Sequence, residues 1–247
     1  MSLEFKSDLH THTFFSHGKG TIEENILAAI EIGLTQIGIS DHGPGHFGFG
    51  VTRKKMAEMK AEIIGLRRKY QEIEILFGIE ANIIVPSGRL DISQEEVDYF
   101  DFVCAGWHYG AFDGMTPAGV GRTIGNYASS MTSKSTRRQI RRNTDAIVKC
   151  LYAYNIMFLT HPSNSAPIDL LEVAVACAKT NTYLEINTSH MSLSAEDIKM
   201  ITSLTDAKFI VNSDAHTTGR IGDFEPAVDL IKKSELDPKR IVNLREI

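Results

Sequence analysis

The feature that most constrains this chain is a repeated one: seven short β-type apolar runs, each ending in polar residues. Residues 5–9 run into His10, residues 36–39 into Asp41 and His42, and residues 75–79 into Glu80. Residues 102–106 lead to His108, residues 157–160 to His161, residues 183–186 to Asn187, and residues 209–211 to Asp214 and His216. Between these runs the apolar residues fall at helical spacing, as with Ile26, Leu27 and Ile30 in 23–32 and Met56, Met59, Ile63 and Leu66 in 54–70. Further helices are expected over 136–154, 167–179, 194–204 and 225–234, with Pro167 in a first turn and Ser194 as an N-cap. Strand followed by helix, repeated, predicts a parallel sheet. An open α/β sheet gathers ligands at one switch point, whereas a closed one brings every strand end to a single mouth. The expectation is therefore an α/β fold of the TIM-like (β/α)7 barrel type, with parallel strands inside and helices outside.

The length of 247 residues suits one barrel, and no linker or low-complexity tract divides it, so residues 1–247 are read as a single domain. The one long irregular segment, 109–135, is rich in Gly, Thr and Ser, carries Pro117, and is expected to serve as a lid or binding element. A net charge of -5 argues against a protein held to nucleic acid or to anionic membrane by bulk positive charge. Cys104, Cys150 and Cys177 are far apart and show no paired spacing, which suggests neither a disulfide framework nor a zinc knuckle and fits a reducing cytoplasm. The longest apolar stretch, near 170–178, contains Glu172 and is too short to span a bilayer. The first six residues lack the apolar core of a signal peptide, so no export is expected.

The strongest local signal is Asp8-Leu9-His10-Thr11-His12, because alternate residues of a strand point the same way and set two imidazoles side by side. Alone, the pair is weak. It gains weight from the residues that the other strand ends add: His17, Ser40-Asp41-His42, Gly78-Ile79-Glu80, Gly106-Trp107-His108, Thr160-His161-Pro162 and Asn212-Ser213-Asp214-Ala215-His216. Mixed imidazole and carboxylate donors suit zinc and similar divalent ions, whereas calcium and magnesium favour all-oxygen sites. Asp8 and Asp41 are read as supporting residues. His46, on the Gly43-Pro44-Gly45 loop, is expected to be exposed, and His190 is left between mouth and surface.

In this order the motifs resemble the PHP family, the polymerase and histidinol phosphatase superfamily of metal-dependent phosphoesterases. The resemblance implies a distorted (β/α)7 barrel holding two to three divalent transition ions, zinc foremost, with manganese or iron in some members. Carried over by position, it implies His10, His12, Glu80 and Asp214 around a first ion, and His17, His42 and His216 around a second. Glu80, His108 and His161 would hold a third, so that Glu80 bridges two. Ser16-His17-Gly18 departs from the Ser-Asp-Gly pattern common in the family, which implies a softer second site.

The implied reaction is hydrolysis of a small phosphate monoester, histidinol phosphate being the leading substrate, by a metal-bound hydroxide. No GxSxG elbow or P-loop lysine offers another nucleophile. Glu80 and Asp214 are the expected catalytic carboxylates, and His190, His46 or a metal-bound water the leaving-group acid. Arg220, four residues after His216, is the first phosphate-binding candidate, and Arg122 on the long segment the next. The spaced Lys134, Arg137, Arg138, Arg141 and Arg142 are read as a solvated basic face. The alternatives are a phosphodiesterase or 3'-5' exonuclease, which would want a basic groove; a metal-binding module without turnover; and an amidohydrolase, which usually has a bridging lysine where this chain offers Glu80.

Overall fold

Helix starts are written locally in polar residues. Thr21 caps α1 (Ile22–Glu31) by accepting from the Glu24 backbone N–H, while the Glu24 side chain returns to the Thr21 backbone. Behind this cap Ile22, Ile26 and Ala29 form one buried stripe. Thr52 caps α2 (Arg53–Lys69), whose Met56, Met59, Ile63 and Leu66 are buried in the same way. The computed structural model describes residues 3–108 and 136–245. The segment 109–135, with Arg122 and Lys134, lies outside the described residues.

The strands are β1 (Ser7–Thr11), β2 (Gln36–Ile39), β3 (Glu74–Ile84), β4 (Arg89–Leu90), β5 (Phe102–Gly106), β6 (Phe158–Leu159), β7 (Tyr183–Asn187) and β8 (Phe209–Asn212). The remaining helices are α3 (Gln94–Val97), α4 (Arg137–Ala153), α5 (Leu170–Thr180), α6 (Ala195–Leu204) and α7 (Glu225–Ser234). One parallel path runs β1-β2-β3-β5-β6-β7-β8, and the short β4 pairs antiparallel with β3. The expected barrel is therefore present, nearly closed and surrounded by helices. The β4–α3 excursion was not foreseen: β3 runs four residues past Glu80 and folds back on itself. The helix expected from Pro167 starts instead at Leu170, because the Asp169 side chain accepts from the Glu172 N–H (3.1 Å) and serves as its cap. All three cysteines are free and buried, and no described helix is long and apolar enough to cross a membrane.

Two glycines make room for the barrel's floor. A side chain at Gly38 or Gly78 would collide with the Phe102 ring, which packs beside Phe158 at 5.9 Å between centroids. With Cys104 and Ile210 these rings fill the lower interior. The His10 ring sits 6.1 Å from Phe158, so the polar layer begins directly above.

Closure between β1 and β8 is only partly a backbone ladder. At the mouth the His12 N–H donates to Ala215 O (2.8 Å) and the Ala215 N–H to His10 O (3.2 Å). Lower down, side chains complete the seam. Leu9 N–H donates to Asn212 Oδ1 (2.9 Å) and Ser213 N–H to Asp8 Oδ1 (3.1 Å). The buried Asn243 donates to Ser7 O (2.9 Å) and Val211 O (2.7 Å) and accepts from Val211 N–H (3.1 Å). Replacing Asn243 with Ala leaves three buried backbone groups without partners, so the expected cost is about 2–4 kcal/mol in urea unfolding. A loss under about 0.5 kcal/mol, within ordinary surface-substitution range, would show that the seam does not depend on this side chain.

Candidate metal centre

The polar strand ends meet at one point above the floor, and Glu80 stands at its centre, fully buried. Its Oε1 lies 3.1 Å from His161 Nε2, 3.2 Å from His108 Nε2 and 3.5 Å from His10 Nε2. Its Oε2 lies 2.8 Å from His42 Nδ1 and 3.8 Å from His12 Nε2. Asp214 Oδ1 adds a second carboxylate, 3.2 Å from His12 Nε2 and 3.6 Å from both His10 Nε2 and His216 Nδ1. The His17 ring, half-buried, completes the set at 4.1 Å from His216 and 4.8 Å from His42. All nine residues singled out as ligands thus converge.

Eight of them fall into three clusters able to hold a metal ion among the described residues: His10, His12 and Asp214; His12, His17, His42 and His216; and His42, Glu80 and His108. His161 stands outside these clusters and meets the centre through Glu80. His12 and His42 are each shared by two clusters, where the family pattern would give each to one; their strands are adjacent and their rings only 4.6 Å apart.

The donor set fits a cation on two grounds. Ligand atoms about 2.1 Å from a tetrahedral ion stand ~3.4 Å from one another, which is the spacing found around Glu80 and Asp214. Moreover, His108 Nε2, His12 Nδ1 and His17 Nδ1 are buried without hydrogen-bond partners among the described residues, a costly condition unless something else satisfies them. Proton affinities point the same way. Burial holds His12 down to about 4, and burial with the neighbouring His216, His42 and His46 holds His17 down to about 3. Burial also pushes His42 well below the usual imidazole value. Neutral imidazoles with open lone pairs are what a metal needs. At His10, burial disfavours the cation, but Asp214, Glu185 and Glu80 together outweigh it and raise its pKa well above normal. This corner demands positive charge, which a proton and a metal ion would compete to supply.

Supporting residues set the ring orientations. His10 Nδ1 lies 2.8 Å from Glu185 Oε1, and since a carboxylate only accepts, Nδ1 carries the proton and Nε2 faces the cluster. Glu185 also accepts from the His161 N–H (2.7 Å), Asn187 Nδ2 (2.8 Å) and Asn212 Nδ2 (3.0 Å). Sequence reasoning passed over this residue, although an acid inside the apolar run Tyr-Leu-Glu-Ile-Asn, two residues before Asn187, is a readable signal. Asp41, as expected, supports: it accepts from Thr13 N–H (2.8 Å), Thr13 Oγ1 (2.5 Å) and Ser16 Oγ, pinning the turn that carries His12 and His17. Burial raises its pKa to about 6 against those bonds. Asp8 likewise ties backbone groups, accepting from Ser213 and Gly222. His161 (φ 27°) and Asp214 (φ 53°) adopt left-handed backbone, a strain of about 1–3 kcal/mol each.

The remaining candidates are placed less centrally. His46 is a correction: it is not exposed but half-buried, its ring stacked 4.4 Å from His42. The loop turns it inward because Val51 N–H and His46 N–H bond back to His42 and Gly43 carbonyls. His190 is exposed at the rim, its Nε2 3.8 Å from Asp214 Oδ2 and its ring 5.7 Å from His161. Arg220 leaves the last strand at the mouth, yet its guanidinium is engaged by Asp223 and reaches Ser189 Oγ at 3.4 Å. On the basic face Arg141 is paired with Asp145 (2.6 Å) and Glu172 (2.7 Å), in keeping with a solvated helix surface.

The profile of the PHP domain matches residues 8–189, which takes in every candidate ligand except Asp214 and His216. A Shewanella loihica protein named "Probable phosphatase" is 29% identical over 255 aligned residues, covering 98% of this chain and 90% of its own. "Probable phosphatase YcdX" of Escherichia coli O81 is 30% identical over 249, covering 96% and 89%. Among solved structures, the histidinol phosphate phosphatase of Lactococcus lactis, determined with zinc, L-histidinol and phosphate, shares the fold at a TM-score of 0.60 and 20% identity over 94% of each chain. With the profile spanning most of the sequence and its motifs brought to one barrel mouth, this chain belongs to the PHP domain family.

Proposed function

We propose that this protein is a metal-dependent phosphoesterase that hydrolyses a small phosphate monoester, with histidinol phosphate the leading substrate. The observation that carries the reading is Glu80, whose two oxygens face separate sets of imidazoles in a buried mouth. The names of the relatives support a phosphatase, and the Lactococcus lactis protein with zinc and L-histidinol supports the substrate class and the metal. In this reading two to three divalent ions bind, zinc foremost and manganese or iron as alternatives. His10, His12, Glu80 and Asp214 hold one; His17, His42 and His216 hold another; Glu80, His108 and His161 hold the third. When bound, such ions supply an activated water near neutral pH and neutralise charge on the phosphoryl oxygens.

The chain's own residues do the rest. Glu80 and Asp214 would supply the carboxylate ligands, with Glu185 orienting His10 and Asp41 pinning the turn that carries His12 and His17. Arg220 takes a phosphoryl oxygen, exchanging its Asp223 partner for the substrate. His190, exposed beside Asp214, would hand a proton to the departing alcohol. Arg122 is the second phosphate candidate.

Zinc- or manganese-loaded protein tested against histidinol phosphate, sugar phosphates, nucleotides and a diester is expected to release phosphate from the monoesters, to stop on chelation and to recover on metal addition. Preference for the diester would overturn the monoester reading, and silence of the metal-replete protein on every ester would overturn the enzyme reading. Glu80→Gln should abolish turnover and loosen two ions together, because a neutral amide cannot serve two cations; elemental analysis showing loss of one ion alone would remove the bridge. Arg220→Ala should lower kcat/KM about tenfold to a hundredfold at unchanged metal content, the value of a bond of about 1.5–3 kcal/mol to a charged group. Unchanged kinetics and unchanged inhibition by inorganic phosphate would place phosphate recognition on another residue.

A further inference from the structure

We propose that Asp91 is a positioning residue of the metal centre, acting through Asn82 to decide which ring nitrogen of His108 is presented to Glu80. The inference rests on the metal-centre reading above. Asp91 follows β4 in the excursion that the sequence did not announce, and its carboxylate turns back onto β3. Its Oδ1 accepts from the Asn82 backbone N–H (2.8 Å), and its Oδ2 accepts from the Gly45 N–H (2.8 Å). Both oxygens are thereby fixed as acceptors. The Asn82 side-chain atom 2.5 Å from Oδ2 must then be the amide nitrogen, since a carbonyl oxygen there would face another acceptor.

That choice settles the other end of the amide. Asn82 Oδ1 faces His108 Nδ1 at 2.8 Å, and because an amide oxygen only accepts, Nδ1 must carry the ring proton. His108 Nε2 is left unprotonated, 3.2 Å from Glu80 Oε1 and with no hydrogen-bond partner among the described residues. A ligand tautomer is thus dictated from two residues away. The loop after His42 is built to accept this neighbour: a side chain at Gly43 would meet Asp91 Oδ2 at 2.5 Å, and one at Gly45 would meet Asp91 Cβ at 2.8 Å.

The test titrates zinc-loaded protein with a zinc-chelating dye, giving the number and affinity of bound ions. The variants are Asp91→Asn, Asn82→Ala, His108→Ala, and each of the first two combined with the third. Asp91→Asn and Asn82→Ala are each expected to weaken one zinc about 10- to 100-fold, the usual effect of removing an outer hydrogen-bond partner of a ligand, while the other ions keep parental affinity. In the His108→Ala background either change should add less than about threefold, since the shared path is already gone. Parental affinity in Asp91→Asn or Asn82→Ala would overturn the proposal, as would an undiminished effect without His108 or an equal loosening of every ion with a lower melting temperature. Should Asp91→Asn fail to fold, Asn82→Ala decides alone, because it leaves the Asp91–Gly45 bond in place. A parent that binds no zinc would instead overturn the metal-centre reading itself.

Discussion

A fully buried carboxylate is the constraint from which the rest of this mouth follows. Glu80 lies inside a barrel whose floor is Phe102 and Phe158, where an unpaired charge would cost several kcal/mol. Burial alone would push its pKa up, yet His108, His10 and His42 overcome that and hold it well below the normal carboxylate range. Imidazoles from β1, β2 and the segments after β5 and β6 must therefore point inward. Four separate strand ends are committed to one side chain, and the barrel must close around it with little freedom in register.

Closure at the seam draws on side chains as well as backbone. Other strands that carry ligands pair in regular register, as β3 does with β5, but among the described residues β1 and β8 meet by backbone near Thr11 and Ala215 rather than along a full ladder. Below this point Asn243, Asn212 and Asp8 supply the missing donors and acceptors from their side chains. Such buried amides and acids look like candidate catalytic groups in a sequence, but here they replace ladder bonds. Polar residues in this barrel thus serve two separate purposes, ligand donors at the mouth and bond partners at the seam.

The same distinction explains how much of the molecule was legible. The strand ends were readable because period-two alternation fixes which residues share a face, and an apolar run terminating in histidine has few structural explanations. Helices with capping residues were readable for an equally local reason. What escaped were relations across space. Nothing adjacent to Asp91 signals its approach to Asn82, since β3 must first overrun the barrel and fold back through β4. His46 looked like a loop residue because its loop is glycine-rich, and only the bonds to His42 and Gly43 carbonyls turn it inward. Pro167 matched a general helix-start preference, yet a nearby aspartate that could satisfy an N–H prevailed.

In the proposed reading, charge balance at the mouth would tie ion loading to substrate capture. Glu80 and Asp214 are held ionised by their neighbours, while His12, His17 and His42 are held neutral. The guanidinium of Arg220 is already matched by Asp223. Against Glu80 and Asp214 stand His10 and His161, whose neighbouring carboxylates raise their pKa values, so the polypeptide alone already neutralises part of its buried charge and offers a phosphate little free positive charge. Bound cations would supply that charge. In the proposed reading an anionic substrate and the metal ions would be coupled thermodynamically, each raising the affinity of the other by the same factor, and the residues that orient the imidazoles would act on substrate binding without touching the substrate.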